Sequence, residues 1–78
     1  MTLADLNKGD RVLIESIRTP DNNVQRLMIM GLVEGAELTF VGASLGGDPL
    51  EFLLHGSAVS LRRLDAQQFE VRPQGNNG

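Results

Sequence analysis

Cysteine, tryptophan and tyrosine are all absent from this chain, and its only aromatic residues are three phenylalanines. Without cysteine there is no disulfide, no thiolate metal site and no thiol nucleophile. Without tyrosine and tryptophan there is little for a base to stack on. No stretch approaches the ~20 apolar residues needed to cross a bilayer. The opening Met1-Thr2-Leu3-Ala4-Asp5 has no basic segment or apolar run of the secretory kind, so a cytoplasmic protein without a signal peptide is expected. Positive charge is also scarce: seven Lys and Arg stand against ten Asp and Glu, a net charge of −3. Arg62-Arg63 is the single basic doublet. Binding a phosphate backbone requires clustered cations, so nucleic acid is not an expected partner.

What remains is a chain of 78 residues, enough for one domain. A chain of this size buries only about 60% of its unfolded surface, which limits it to one thin core. Asn7-Lys8-Gly9-Asp10 reads as a polar turn. Arg11 to Ile17 is a strand with apolar residues in both phases, Val12 and Ile14 on one face and Leu13 and Ile17 partly on the other, a pattern that suits a small barrel. Thr19 can cap a helix with Pro20 at its first position, and Asp21 or Asn22 is the alternative cap. Val24, Leu27 and Met28 then recur at helical spacing. Gly31 suits the left-handed stop, and Leu32 is expected to fold back on the last turn. Gly35 supplies the positive φ of a turn at Val33 to Ala36. Glu37 to Ala43 is a second strand, and Leu45-Gly46-Gly47-Asp48-Pro49 is a loop. Leu50 to His55 is a third strand, a hairpin turn falls at Gly56-Ser57, and Val59 and Leu61 mark a fourth. Leu64 to Gln67 is one helical turn, and Phe69 and Val71 lie on the last strand.

This pattern predicts a mainly β protein, a small SH3-like barrel of about five strands with one short α-helix, over residues 1–72. A disordered Gly/Asn-rich tail is expected at 73–78. The expected core is Val12, Ile14, Val24, Leu27, Met28, Leu32, Leu38, Phe40, Leu50, Phe52, Val59, Leu61, Phe69 and Val71. Leu27→Ala is expected to cost ~2–5 kcal/mol if the helix docks on the barrel.

Residues able to do chemistry are few. His55, the one histidine, sits beside a turn with no base or ligand partner in sequence. Asp48 before Pro49 has the place of a turn-forming carboxylate. Glu51 and His55 point the same way along a strand but ~13 Å apart, too far for one metal ion to join. Gly46-Gly47 is followed by no P-loop lysine. No catalytic, cofactor or metal-binding residue is therefore assigned, no cofactor is expected, and the chain is not expected to be an enzyme. Met28, Ile29 and Met30 carry more apolar surface than one short docked face can bury. Leu27 and Met28 take the buried stripe, at least one of Ile29 and Met30 should be exposed, and Leu45 at the loop tip can extend that surface. Met28, Ile29, Met30, Leu45 and Asp48 are the candidate partner-binding residues.

The order Leu6-x-x-Gly9, Arg26-Leu27-x-x-Met30-Gly31-Leu32-x-x-Gly35, Leu45-Gly46-Gly47-Asp48-Pro49-Leu50, Leu61-Arg62 and Phe69-x-Val71 resembles that of FeoA proteins. The resemblance runs from Leu3 to Arg72, and it extends to the C-terminal SH3-like module of iron- and manganese-dependent repressors. Two departures stand out: Gly46-Gly47 has one glycine more than the family loop, and Glu34 replaces a common proline. The resemblance implies a small cytoplasmic accessory protein that binds the cytoplasmic domain of the transporter FeoB and modulates ferrous iron uptake. Such a protein would be peripheral to the inner membrane through its partner and not inserted in it. Weak homo-oligomerisation stays open. Two alternatives also remain: a sensor that binds a divalent metal itself, and a stand-alone repressor-type interaction module that docks a proline-bearing segment.

Overall fold

The computed structural model describes residues 1–74. Five strands form one antiparallel sheet: β1 (Arg11–Ile17), β2 (Glu37–Ala43), β3 (Leu50–Leu54), β4 (Ser57–Leu61) and β5 (Phe69–Pro73). Their order across the sheet is β4-β3-β2-β1-β5. Two register shifts, between Ile14 and Ser16 in β1 and between Phe40 and Gly42 in β2, mark bulges of the kind that bend strands, and so suit a sheet that must wrap its own core. The helices are α1 (Asn22–Ile29) between β1 and β2 and the four-residue α2 (Arg63–Ala66) between β4 and β5. Two 3₁₀ turns, Leu3–Asp5 and Leu45–Gly47, complete the element list.

The core lies inside the curved sheet. Phe52 and Phe69 are fully buried at its centre with Leu3, Leu32, Leu38, Leu50 and Leu61. The Phe40 ring tilts against Phe52 with centroids 5.3 Å apart, a favourable aromatic geometry. Twelve of the fourteen residues expected in the core are buried; Leu27 and Met28 are half-buried and pack against it from the rim. The core also takes in Leu3, Ala36, Leu54 and Ala66. Leu3 was hidden from sequence reasoning because it stands alone, ahead of any periodic segment. It reaches the core because the first 3₁₀ turn packs beside β5.

The start of α1 resolves the choice of cap. Asp21 is the N-cap, and its Oδ1 accepts a hydrogen bond from the Val24 N–H at 2.9 Å. Thr19 and Pro20 lie outside the helix. At the other end Gly31 adopts φ 120°. The Gly31 N–H donates to the Met28 carbonyl at 3.0 Å and the Leu32 N–H to the Leu27 carbonyl at 3.1 Å. These are the two bonds of a Schellman stop, and they turn Leu32 into the core as the sequence predicts. A Cβ on residue 31 would also approach Leu54 Cδ2 to 3.2 Å. The Gly35 turn is present too: the Ala36 N–H donates to the Val33 carbonyl at 3.0 Å.

Two boundaries differ from expectation. The β3–β4 turn residues are His55 and Gly56, at φ 52° and 83°, and Ser57 already pairs with Leu54. Two residues of positive φ match the twist of a two-residue hairpin, which favours His55-Gly56 over Gly56-Ser57. The last strand also runs beyond Arg72: Pro73 pairs with Val12, and the Gln74 N–H donates to the Arg11 carbonyl at 2.9 Å. The remainder of the expected tail, 75–78, lies outside the described residues.

The two outer strands are treated differently. Along β5 the free edge is covered by the first residues of the chain: the Val71 N–H donates to the Met1 carbonyl at 2.9 Å, and Thr2 bridges Glu70. Along β4 no such cover exists among the described residues. A strand edge left with unpaired main-chain groups invites pairing with another chain.

Thr2 and Asp5 hold that N-terminal cover in shape. The Asp5 carboxylate accepts from the Thr2 N–H at 2.7 Å and from the Thr2 hydroxyl at 3.2 Å, while the Ala4 N–H donates back to Thr2 Oγ1. The Thr2 N–H above all holds the Asp5 carboxyl below the usual carboxylate range, partly opposed by desolvation. A carboxyl lowered in the folded state stabilises the fold above its unfolded pKa, and that contribution is lost as pH falls through the lowered value. Acid titration of stability should therefore be less steep in Asp5→Asn than in the parent chain, and parallel titration curves would exclude the capping role.

Leu32→Ala is expected to cost ~2–5 kcal/mol in urea unfolding, because a fully buried side chain is lost. Leu27→Ala should cost less, about 1–3 kcal/mol, because Leu27 is half-buried. Equal losses would mean that α1 docks through Leu27 and not through the residue beyond its stop.

Candidate functional site

The surface around α1, the Leu45–Gly47 turn and α2 contains every residue singled out for partner binding. Ile29 and Met30 end α1 on its outer side, 87% and 55% exposed, with exposed Val33 after the glycine stop. Met28 is different: it is half-buried and packs against the core, so little of it is available to a partner. Leu45 is fully exposed at the loop tip, on a connection separate from that of α1. The five residues thus form two groups, the end of α1 and the loop.

Asp48 has a defined structural job. Its Oδ1 accepts a hydrogen bond from the Arg63 N–H at 2.9 Å. Arg62, the N-cap of α2, makes no side-chain cap bond of its own, so a carboxylate fifteen residues before Arg63 supplies one. Arg63 returns the contact. One of its guanidinium nitrogens donates to the Gly47 carbonyl at 2.9 Å and another to the Ala4 carbonyl at 3.2 Å. The planar fork of arginine can bond two carbonyls in fixed directions at once, which a lysine ammonium does less well. Arg63 thereby ties three segments together: the loop, α2 and the first 3₁₀ turn.

Sequence reasoning saw Arg63 only as half of a basic doublet. Its carbonyl partners come from segments fifty-nine and sixteen residues away, and nothing local reveals them. Leu64 was also missed as a surface residue. It is 72% exposed and borders a hollow shared with Asp48, Pro49 and Arg62, which adds apolar surface beside the Leu45 loop.

A second depression lies between α1 and the end of β4. Asn23, Arg26 and Leu27 line one wall, one residue or turn apart on a single helix face. Ser60, Leu61, Arg62 and Asp65 line the other, and the open space between them is about 270 Å³. Arg62 borders both this groove and the hollow by Leu64.

His55 is exposed in its hairpin turn, and Glu51 accepts the Ser60 hydroxyl at 2.6 Å from the neighbouring strand. Asp48, Glu51 and His55 do not converge, and among the described residues no group of three His, Asp or Glu side chains is placed to hold one metal ion. Among the described residues no helix is long and apolar enough to cross a membrane.

A curved five-stranded antiparallel sheet, a short helix stopped by Gly31 and a loop locked by Arg63 define a small SH3-like β domain. The chain belongs to the FeoA domain family, whose model matches residues 1–73. It is 32% identical over 77 residues to the Fe(2+) transport protein A/Fe(2+) transporter FeoB fusion protein of Porphyromonas gingivalis, a match that covers 99% of this chain and 9% of that protein. The chain thus spans less than a tenth of the fusion protein's length. It is similar to the FeoA protein of Chlorobium tepidum, with 35% identity and a TM-score of 0.86 over 100% of this chain and 75% of that one. The zinc-complexed FeoA of Stenotrophomonas maltophilia, described as a prokaryotic SH3 domain protein, matches with 29% identity and a TM-score of 0.79 over 92% and 89% of the two chains. The manganese regulator SloR shares the fold at 13% identity, with a TM-score of 0.77 over 95% of this chain and 34% of the regulator. The family, the SH3-like fold and the likeness to the metal-dependent regulators are those the sequence motifs imply.

Arg63→Lys should keep the positive charge but lose one or both carbonyl bonds, at a cost of about 1–3 kcal/mol. Amide exchange at Gly46, Gly47 and Asp48 should rise with it. Unchanged exchange in the loop would show that the Arg63 fork does not hold it.

Proposed function

We propose that this chain is a non-enzymatic accessory protein that binds the cytoplasmic part of FeoB and modulates uptake of ferrous iron. The observation that carries this reading is the Porphyromonas gingivalis relative, in which a transport protein A portion and FeoB are one polypeptide. Fusion makes two domains permanent neighbours, and separate chains of the same families would need a surface to achieve that proximity. Membership of the FeoA family is consistent with it. The protein would then work in the cytoplasm, held at the membrane by its partner, without inserting in the bilayer and without binding nucleic acid.

The contact surface in this reading has two parts, Ile29 and Met30 at the exposed end of α1, with Met28 supporting from below, and Leu45 on the separate loop. Exposed apolar side chains on a small domain are costly to leave in water and typical of a binding face. Methionine adds adaptability, since its unbranched chain repacks against different partner shapes. Asp48 contributes by capping α2 and so fixing the loop that displays Leu45.

A second reading is direct sensing of a divalent metal, and the zinc complex of the Stenotrophomonas maltophilia relative is the observation in its favour. Anoxic calorimetry with Fe²⁺ separates the two. Weak, nonspecific heats are expected, whereas a saturable one-to-one isotherm would favour the sensor.

Binding to the purified cytoplasmic domain of FeoB, with and without guanine nucleotide, should be measurable in at least one state. Ile29→Asp combined with Leu45→Asp should weaken it by at least about tenfold, the scale of one lost hot spot. Absence of binding in both states, together with unchanged iron uptake in a deletion strain, would end the proposal.

A further inference from the structure

The sheet has two outer strands, and among the described residues only one is covered. Met1 and Thr2 lie along β5, whereas β4 pairs with β3 alone. The pairing register shows which β4 groups are left over. The hairpin closes on the pair Leu54 and Ser57, so Ser57, Val59 and Leu61 exchange main-chain bonds with β3. The N–H and C=O groups of Ala58 and Ser60 therefore point away from the sheet. No other described main-chain group bonds to them.

The last two residues of that strand, Ser60 and Leu61, lie on the groove whose other wall is the Asn23, Arg26 and Leu27 face of α1, and Ala58 continues the open edge beyond it. Two guanidinium groups, Arg26 and Arg62, line the groove, and neither has a carboxylate within 4.0 Å among the described residues. Asp65 is the one acidic residue on its lining. In a chain of net charge −3, this is a local excess of positive charge beside unpaired main-chain donors and acceptors.

We propose that this groove receives an extended, acidic segment of another protein, which pairs with β4 as a sixth strand and presents carboxylates to Arg26 and Arg62. Main-chain bonds to Ala58 and Ser60 supply the affinity common to strand addition, and the two arginines select the side chains. A second copy of this chain fits less well. Its own edge strand, Ser57–Leu61, carries no carboxylate to set against Arg26 and Arg62.

The test uses the purified chain and a short synthetic peptide in which valine and aspartate alternate, beside the same peptide with lysine for aspartate. The acidic peptide should bind, shift the Ala58 and Ser60 amide resonances and slow their exchange with solvent. The lysine peptide should not. Arg26→Glu with Arg62→Glu should weaken the acidic peptide by at least about tenfold, as expected for two charge pairs made repulsive. Arg72→Glu, on the far edge, should leave it unchanged. Ser60→Pro removes one outward N–H while sparing the bonds to β3, as proline can on an edge strand, and should abolish the exchange protection. Should Ser60→Pro fail to fold, the double arginine reversal decides.

Failure of the acidic peptide to bind, equal binding of both peptides, or binding without protection at Ala58 and Ser60 each overturns the proposal. Protection that grows with protein concentration alone also overturns it, in favour of self-pairing. The readout is local to β4, so it holds or fails independently of whether FeoB is the partner.

Discussion

The Leu32 N–H reaches back 3.1 Å to the Leu27 carbonyl, and this bond decides how α1 sits on the sheet. Gly31 makes it possible by taking a left-handed φ that an L side chain strains to adopt, in a place where a Cβ would also press on Leu54. Leu32 then enters the core at full burial, and Val24 does the same from the first turn. With both ends anchored, the orientation of the helix is settled. Ile29 and Met30 must face outward, and the Asn23, Arg26 and Leu27 face must border β4. The exposed apolar surface and the groove are two consequences of one docking geometry.

A second constraint comes from size. A core this thin cannot bury every loop, so polar links hold the periphery. Arg63 is the clearest case, joining the carbonyls of Ala4 and Gly47 while its own N–H is capped by Asp48. The network supports Leu45 at the loop tip and keeps the first 3₁₀ turn against the sheet, and that turn carries Leu3 into the core. Stability and surface display thus draw on the same few bonds. The two sheet edges divide in the same spirit. One is closed by the chain's own first residues, and the other stays open beside two cations.

The chain belongs to the FeoA family, and the proposed association with the transporter rests on a relative in which a transport protein A portion and FeoB are one polypeptide. A small domain with apolar side chains at one helix end, a rigid loop and an open strand edge has more than one means of contact. In the contacts proposed above, hydrophobic docking through Ile29, Met30 and Leu45 would supply area and the edge strand direction, so the two surfaces would be able to serve one partner or two.

Local patterns carried much of the fold. The strand β1 is bounded as its apolar run is, β2 begins and ends at Glu37 and Ala43, and the Gly31 stop and Gly35 turn fall where glycine alone is comfortable. Each is a matter of backbone sterics and side-chain periodicity within a few residues, and such information is complete in the sequence. The errors were local too. Asp21 caps the helix in place of Thr19, and His55 enters the hairpin turn in place of Ser57, because several neighbouring residues had nearly equal claims. Met28 and Leu27 were placed deeper than they lie, since helical spacing identifies a face but not how far it sinks.

The candidate site divides along the same line. That at least one of Ile29 and Met30 would be exposed followed from there being too many apolar residues for one short face, and both are; Leu45 was placed at a loop tip by the glycines that follow it. That Asp48 caps α2, that Arg63 joins three segments, that Met1 covers β5 and that Arg26 and Arg62 line one groove at the end of β4 are pairings between distant parts of the chain. No periodicity encodes them, because each depends on where the folded sheet brings two segments, and only the tertiary structure decides that.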